Sequence, residues 1–484
     1  MDYLRGQFVI SRGRQDMRPG WRAVEHSGWI MQVHPSLPVH NVFDAAGAHA
    51  GWLVGHAIDT KAQRMLTGDW HLFCDASLNN CATIEAQLFS LAGRYVLFLL
   101  GSDIRRMYVD PSASLSLLYS LDDRLAGSSA HALGITELSQ SSLTAEIDRT
   151  RQVSGTWYPC GLTQWQNLRV LPPNHFLDID AWEICRHWPQ PDQSTASEPS
   201  DVNSVVNAIC HRLTANIAAV AAEHPTTMQL TAGRDTRMLL ACSKPVVEQI
   251  EFETSPTHSH TDVAISVAMA EMLKLVHHIS EPVNLEHALL QGAAGEVGRA
   301  FYWRNTDDER TTLTGQDLAT RMSFPDATFV PLLQDWLDQI PHLNTFVKLD
   351  LLYIEHRLAM AHSPANYERD LRFKFTLFPL GDRRIFELMM SLPSSYRLRQ
   401  ALCPDICKRR WPELNLFPIN APGFGGLGLE RYSKLLEQWN CKTLDRKQRL
   451  YLRERTFGTS SLSQIIFEDM KKVFRRVRRS LFKY

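Results

Sequence analysis

Residues 228–241 read Met-Gln-Leu-Thr-Ala-Gly-Arg-Asp-Thr-Arg-Met-Leu-Leu-Ala. Thr226 to Leu230 has the composition of a short buried strand, Thr231 to Thr236 is a turn of small and polar residues, and an apolar helix is predicted from Arg237 onward. A small-residue turn between strand and helix lets backbone N–H groups approach a phosphate, and the helix N-terminus adds positive potential. Ala232 and Gly233 leave room for that approach, Thr231 and Thr236 carry hydroxyls suited to phosphate oxygens, and Asp235 offers the oxygen ligand that magnesium takes. The spacing is not that of a Walker loop, which ends in Gly-Lys-Ser/Thr. Any polar strand-to-helix turn shares these features, so the loop alone leaves phosphate binding and a plain connection both open.

At 484 residues the chain is long for one core, and two domains are expected. Lys and Arg number 51 against 52 Asp and Glu, so no global charge draws it to nucleic acid. No apolar run approaches the roughly 20 residues of a membrane span, and the opening Met-Asp-Tyr-Leu-Arg-Gly-Gln lacks an apolar signal core. A cytoplasmic location is the expectation. The nine cysteines are scattered and form no Cys-x-x-Cys pair, which reads as small buried hydrophobes in a reducing compartment.

Short β-type runs fill the first part of the chain: Trp29 to Val33, Gly51 to Ile58, Tyr95 to Leu100, Arg106 to Val109, Leu168 to Leu171 and His175 to Ile179. Ala82 to Ala92 has helical spacing. Residues 189–204, PQPDQSTASEPSDVNS, are polar and rich in Pro and Ser, and form the best linker in the sequence. Beyond it, helix and strand alternate. A helix is predicted at Val202 to Ala222, a strand at Gln249 to Glu253, a helix at Asp262 to Leu273 and a strand at Val276 to Ile279. Such alternation implies a parallel sheet with ligands at the carboxyl ends of its strands. From about Pro331 onward the pattern is mostly helical.

Further segments bear on the family. Thr254-Ser255-Pro256 follows the second strand, with Asp262 at the next helix; Leu290-Gln291-Gly292-Ala293-Ala294-Gly295-Glu296-Val297 is a second glycine-containing turn; Phe378-Pro379-Leu380-Gly381-Asp382-Arg383-Arg384 leads into a helix ending at Leu392-Pro393. With the loop at 231–236, these resemble the synthetase domain of asparagine synthetase-like ATP pyrophosphatases. There the pyrophosphate loop is S-G-G-x-D-S and is followed by an S-G-x-G-x-D-E loop and a P-F-L-D-R segment. Gly93-Arg94-Tyr95, Arg106-Met107-Tyr108-Val109-Asp110-Pro111 and Leu171-Pro172-Pro173-Asn174-His175 resemble that family's glutaminase domain. The resemblance spans roughly residues 1 to 430, and the nearest subgroup lacks the glutaminase cysteine.

The resemblance implies a glutaminase-like (Ntn-type) αββα domain at residues 1–190 and an adenine-nucleotide α-hydrolase-like parallel sheet with a helical extension at residues 200–484. It implies ATP and Mg²⁺ as cofactors and the joining of a carboxylate to an amine through an acyl-adenylate. Leu230, Thr231, Ala232, Gly233, Asp235, Thr236, Thr254 and Gly292 are the expected nucleotide contacts, Asp235 and Glu296 the expected metal ligands, and Glu296, Arg234 and Arg237 the expected catalytic groups.

Three departures qualify this. Class II glutaminases attack with an amino-terminal cysteine, whereas residue 2 here is Asp2 and the first cysteine is Cys74. Ala293 stands where the second loop carries an acid. The segment Phe417 to Phe424 has no lysine to neutralise the leaving pyrophosphate, leaving Arg234, Arg237 or the basic run Lys408-Arg409-Arg410 for that charge. An inactive binding module of the same fold, or an ATP pyrophosphatase serving another acceptor, therefore remain alternatives. The expected partner is a small-molecule, peptide or sugar carboxylate; a homodimer is left open. The basic amphipathic tail, Lys471 to Tyr484, allows weak contact with an anionic membrane surface or docking on the protein itself.

Overall fold

The computed structural model describes residues 2–13, 16–134, 141, 144–145, 157–190, 201–258, 260–324, 328–417 and 419. The chain is a mixed α/β protein with antiparallel and parallel strand pairing. It forms two compact units: Met1–Thr226 with Val283–Leu402, and Thr227–Pro282 with the chain from Cys403. Most of the expected linker, residues 191–200, lies outside the described residues, as do most of the Phe417–Phe424 segment and the whole basic tail.

In the first unit, two sheets enclose one core. Among the described residues, one sheet has the strand order Leu168–Val170, Leu118–Ser120, Leu125–Gly127, Phe8–Arg12, Trp29–Val33 and Arg22–His26. The other runs Glu183–Arg186, His175–Asp178, Arg105–Val109, Leu91–Leu100, His49–Asp59, Val39–Phe43 and Trp70–His71, with Arg64–Met65 beside His49–Asp59. Phe8, Ile10, Trp29 and Met31 from one sheet meet Trp52, Val54, Val96 and Phe98 from the other. The second sheet's far face is also apolar, so Leu91–Leu100 is buried at every position, and Ile84 and Leu88 of the Cys81–Leu88 helix cover it. Gly93 explains one sequence motif. Its φ is +108°, and a Cβ there would stand 2.4 Å from the His56 carbonyl across the strand pair, so only glycine fits.

The helix Val202–Glu223 also belongs to this unit. Asp201 caps it by accepting from the N–H groups of Asn203 and Ser204, and Val205, Val206, Ile209, Leu213, Ile217 and Val220 form its buried stripe. Contrary to the sequence reading, this helix is long and apolar enough by length and composition to cross a membrane. Half of the qualifying stretch is buried, and Arg212 and Asn216 on it both reach the Asp382 carboxylate. The unit continues with parallel strands Asn284–Leu290 and Phe373–Leu377, and with helices between them. From Tyr353 to His362 the helical ladder widens to π geometry.

In the second unit, Thr226–Gln229, Ile250–Thr254 and His277–Ile279 lie side by side, the last two parallel. Helices Arg234–Ser243 and His260–Leu273 connect them. The strand predictions here agree with the structure to within a residue or two, but the first helix begins at Arg234, three residues before the apolar pattern starts. A helix's first turn carries unpaired N–H groups and favours polar residues, so its start is not visible in hydrophobic spacing.

Candidate active site

The loop after Thr226–Gln229 is built from its own hydrogen bonds. The Leu230 N–H donates to Glu253 O at 2.7 Å, and Leu230 O accepts from the Thr254 hydroxyl at 2.7 Å and the Ser266 hydroxyl at 3.2 Å. That fixes the point where the chain leaves the sheet. Thr231 Oγ1 and Thr236 Oγ1 are 2.8 Å apart, and the Gly233 N–H donates to Thr231 Oγ1 at 3.1 Å. Gly233 sits at the N-cap with no side chain to cover the helix end; its φ of −68° is ordinary, so its glycine character gives room rather than an unusual backbone. Asp235 follows in the first turn and is buried, with Arg234 half-buried beside it.

Two contacts in this unit were not legible from the loop. The Ala232 N–H donates to Asp262 Oδ1 at 2.9 Å, so a carboxylate from the helix after the next strand sits on the loop backbone. A sequence signal for it exists: an acid in the first turn of that helix. Arg237 is 1% exposed, and its guanidinium donates to the carbonyls of Phe417 at 2.7 Å, Leu414 at 3.5 Å and Ala232 at 3.3 Å. Burial pulls this guanidinium below its usual range. It serves as a strut from the helix to the 412–417 turn. At the adjoining strand end, Thr254 Oγ1 and His277 Nε2 are 2.8 Å apart, and burial lowers the His277 imidazole to about 4, so it is neutral at pH 7.

Gly292 and Glu296 belong to the first unit. Ala294 and Ala300, both with positive φ, flank the turn Gly295–Arg299 that carries Glu296. The Glu296 carboxylate pairs with Arg299 and accepts from the Tyr353 hydroxyl at 2.7 Å. Phe301 and Tyr353 pack with ring centroids 5.2 Å apart, and Phe301 is 44% exposed. Burial lowers the His362 imidazole against the pull of Glu296. Carboxylate, guanidinium, phenol and imidazole are thus gathered around one turn.

The other motif residues of the first unit are pins within it. Arg94 Nη1 meets Asp370 at 2.5 Å, both side chains 3% exposed. Asp110 is fully buried and accepts from Ser112, Ser114 and Leu115. Asn174 donates to Glu355 at 2.7 Å, and Arg186 grips the same carboxylate at 2.6 and 2.8 Å. Burial opposes the Glu355 charge, but Arg186 outweighs it, and the carboxyl is held down at about 2. Asp382 caps the helix Arg383–Met390 and receives Arg212 at 2.6 Å and Asn216 at 3.1 Å. Asp350 pairs with Arg397 at 2.5 Å in a buried ion pair. At the chain's start Asp2 bonds the His34 imidazole at 2.6 Å, and the other His34 nitrogen lies 2.8 Å from the Ser36 hydroxyl.

Lys408 and Arg409 are exposed on the helix Leu402–Arg410. No group of three or more His, Cys, Asp or Glu side chains that could hold a metal is gathered among the described residues. No protein-family model matches the chain, and no curated protein sequence matches it.

Proposed function

We propose that the chain is an ATP-dependent amide-forming ligase of the asparagine synthetase-like kind, working in the cytoplasm without glutaminase chemistry of its own. The observation that carries this is the strand–loop–helix at 226–243, where Thr231 and Thr236 bring two hydroxyls together at a helix start whose N-cap is a glycine. Hydroxyls, backbone N–H groups and a carboxylate are hard oxygen and hydrogen-bond partners, so the residues present fit Mg²⁺-ATP. On this reading Thr231, Ala232, Gly233 and Thr236 cradle the phosphates, Asp235 holds the magnesium, and Leu230 and Thr254 stand at the strand ends for the nucleoside. Arg234 is the cation for the polyphosphate, because the described guanidinium contacts of Arg237 are with carbonyls.

The reaction has two steps. A substrate carboxylate oxygen attacks the α-phosphorus of ATP, forming an acyl-adenylate and releasing pyrophosphate. An amine then attacks the acyl carbon, AMP leaves, and the amine proton passes to a base. Fixed N–H groups and cations aimed at the pyrophosphate supply the main stabilisation. The resemblance also gives Glu296 a metal-holding role and Gly292 a nucleotide contact. The Glu296 carboxylate already has two partners in its own unit, and Glu296→Gln tests that role separately.

A second reading, an inactive nucleotide-binding module, draws on the Asp262 carboxylate resting on the Ala232 N–H and on Ala293 in the second loop. ATP–pyrophosphate exchange with a panel of small, peptide and sugar carboxylates separates the two. Exchange that depends on one carboxylate supports the ligase. ATP binding without exchange for any carboxylate supports the inactive module, and no ATP binding removes both.

A further inference from the structure

A cavity of about 310 Å³ lies within the first unit, between the sandwich and residues 359–367. Leu118 and Val170 of one sheet, the indoles of Trp157 and Trp165, and Ala359 and Met360 of the π-wound segment line it. This volume is at the lower end of small-molecule sites, and aromatic and aliphatic walls with a few polar atoms are their usual lining. The polar side chains are neutral: the Ser128 and Thr163 hydroxyls already donate to the carbonyls of Phe8, Trp165 and Leu168, and the Gln164 amide borders the cavity. None of the described lining residues carries a charge. A phosphate, carboxylate or ammonium group placed here would lose its water with no charged side chain among the described lining residues to replace it.

The walls are fixed before any ligand arrives. The Arg357 guanidinium stacks 4.8 Å from the Trp157 ring, and Phe324 meets that ring edge-on at 4.8 Å. Tyr367, also in the lining, has the Arg94 guanidinium 5.1 Å from its ring, and Arg94 is itself locked to Asp370. Aromatic walls held by cations keep their positions, which lowers the cost of ordering on binding. The π-wound segment presents Ala359 and Met360 to the cavity and Tyr353 to Glu296, a geometry often retained where side chains must be presented to a site.

We infer that this cavity binds a neutral aromatic alcohol or amide of one or two fused rings, with its rings against the indoles and its polar group on the Gln164 amide. The site is independent of the nucleotide reading. Titration of the full chain with 2-naphthol, followed by calorimetry and by the probe's fluorescence, tests it. Saturable binding at one site is expected, with naphthalene-2-sulfonate, the same rings bearing a charge, at least tenfold weaker. Ala359→Phe, which fills the cavity, should weaken 2-naphthol at least tenfold. Gln164 is exposed where it borders the cavity, so Gln164→Trp should narrow the entrance and weaken binding without disturbing the core; it decides alone if Ala359→Phe melts early. No saturable binding, equal affinity for the sulfonate, or unchanged affinity in the folded variants would overturn the inference.

Discussion

At the scale of single residues, buried charge is used in the first unit for holding elements together. Glu355 is the clearest case: it is fully buried and accepts from Asn174, Arg186 and the Trp336 indole. Removing the carboxylate strands the Arg186 guanidinium in a site only 11% exposed. Breaking a buried pair this way costs about 3–5 kcal/mol. Glu355→Ala should therefore lose stability of that order in a denaturant melt, with Glu355→Gln milder because the amide oxygen still accepts. A loss below about 1 kcal/mol for the alanine variant would mean that the pair is not a principal pin. None of this was legible in the sequence. Glu355 and Arg186 are 169 positions apart, and Arg94 and Asp370 are 276 apart. The sequence reading took Arg94, Asp110 and Asn174 as motif letters, and only the packing gives each its partner.

At the scale of elements, the phosphate-loop reading turns on how the loop and the following helices share their N–H groups. Asp262 places a negative charge on the Ala232 N–H, where the reading puts a phosphate oxygen. Asp262→Asn keeps a hydrogen-bonding oxygen but removes the charge. It should tighten pyrophosphate binding several-fold, in line with charge effects of about 1 kcal/mol near a helix start. Weaker binding in that variant would assign Asp262 to the metal instead. Much of this element was readable, because short apolar runs bounded by turns mark Thr226–Gln229, Ile250–Thr254 and His277–Ile279. Phe373–Leu377 was missed although Phe-Lys-Phe-Thr-Leu alternates as a strand should, because it sits inside a stretch that otherwise reads as helix. Asn284–Leu290 was missed because its exposed first half hides the buried second half. The π winding at 353–362 has no local signal at all.

At the scale of the whole molecule, the sandwich and the later helices of the first unit share their buried charges, so the sandwich should not stand alone. A fragment of residues 1–190 leaves Arg94 without Asp370 and Arg186 without Glu355, and should show no cooperative thermal transition; a sharp transition near that of the full chain would contradict this. Stability should also fall in mild acid. Burial lowers the His175 and His356 imidazoles to about 4 and holds those of His56 and His187 well below their usual 6.5. A depressed histidine contributes stability that is present above 6.5 and is lost as pH falls toward its folded value, because the unfolded chain takes up the proton first. Asp350, pushed up to about 6 by burial despite Arg397, acts the other way, as do Glu85, Asp110 and Asp370, whose carboxyls burial also raises. His277, also at about 4, joins these four histidines, and together they outweigh the acids, so the melting temperature should drop as pH is lowered from 6.5 to 5; a rise would mean that the acids dominate. Nucleotide binding by the 231–236 loop is measured by titrating Mg²⁺-ATP into the full chain and into Asp235→Ala by calorimetry. Saturable binding to the natural chain is expected, lost in the variant while the melting temperature is largely kept. No binding to the natural chain, or equal affinity in the variant, would contradict it.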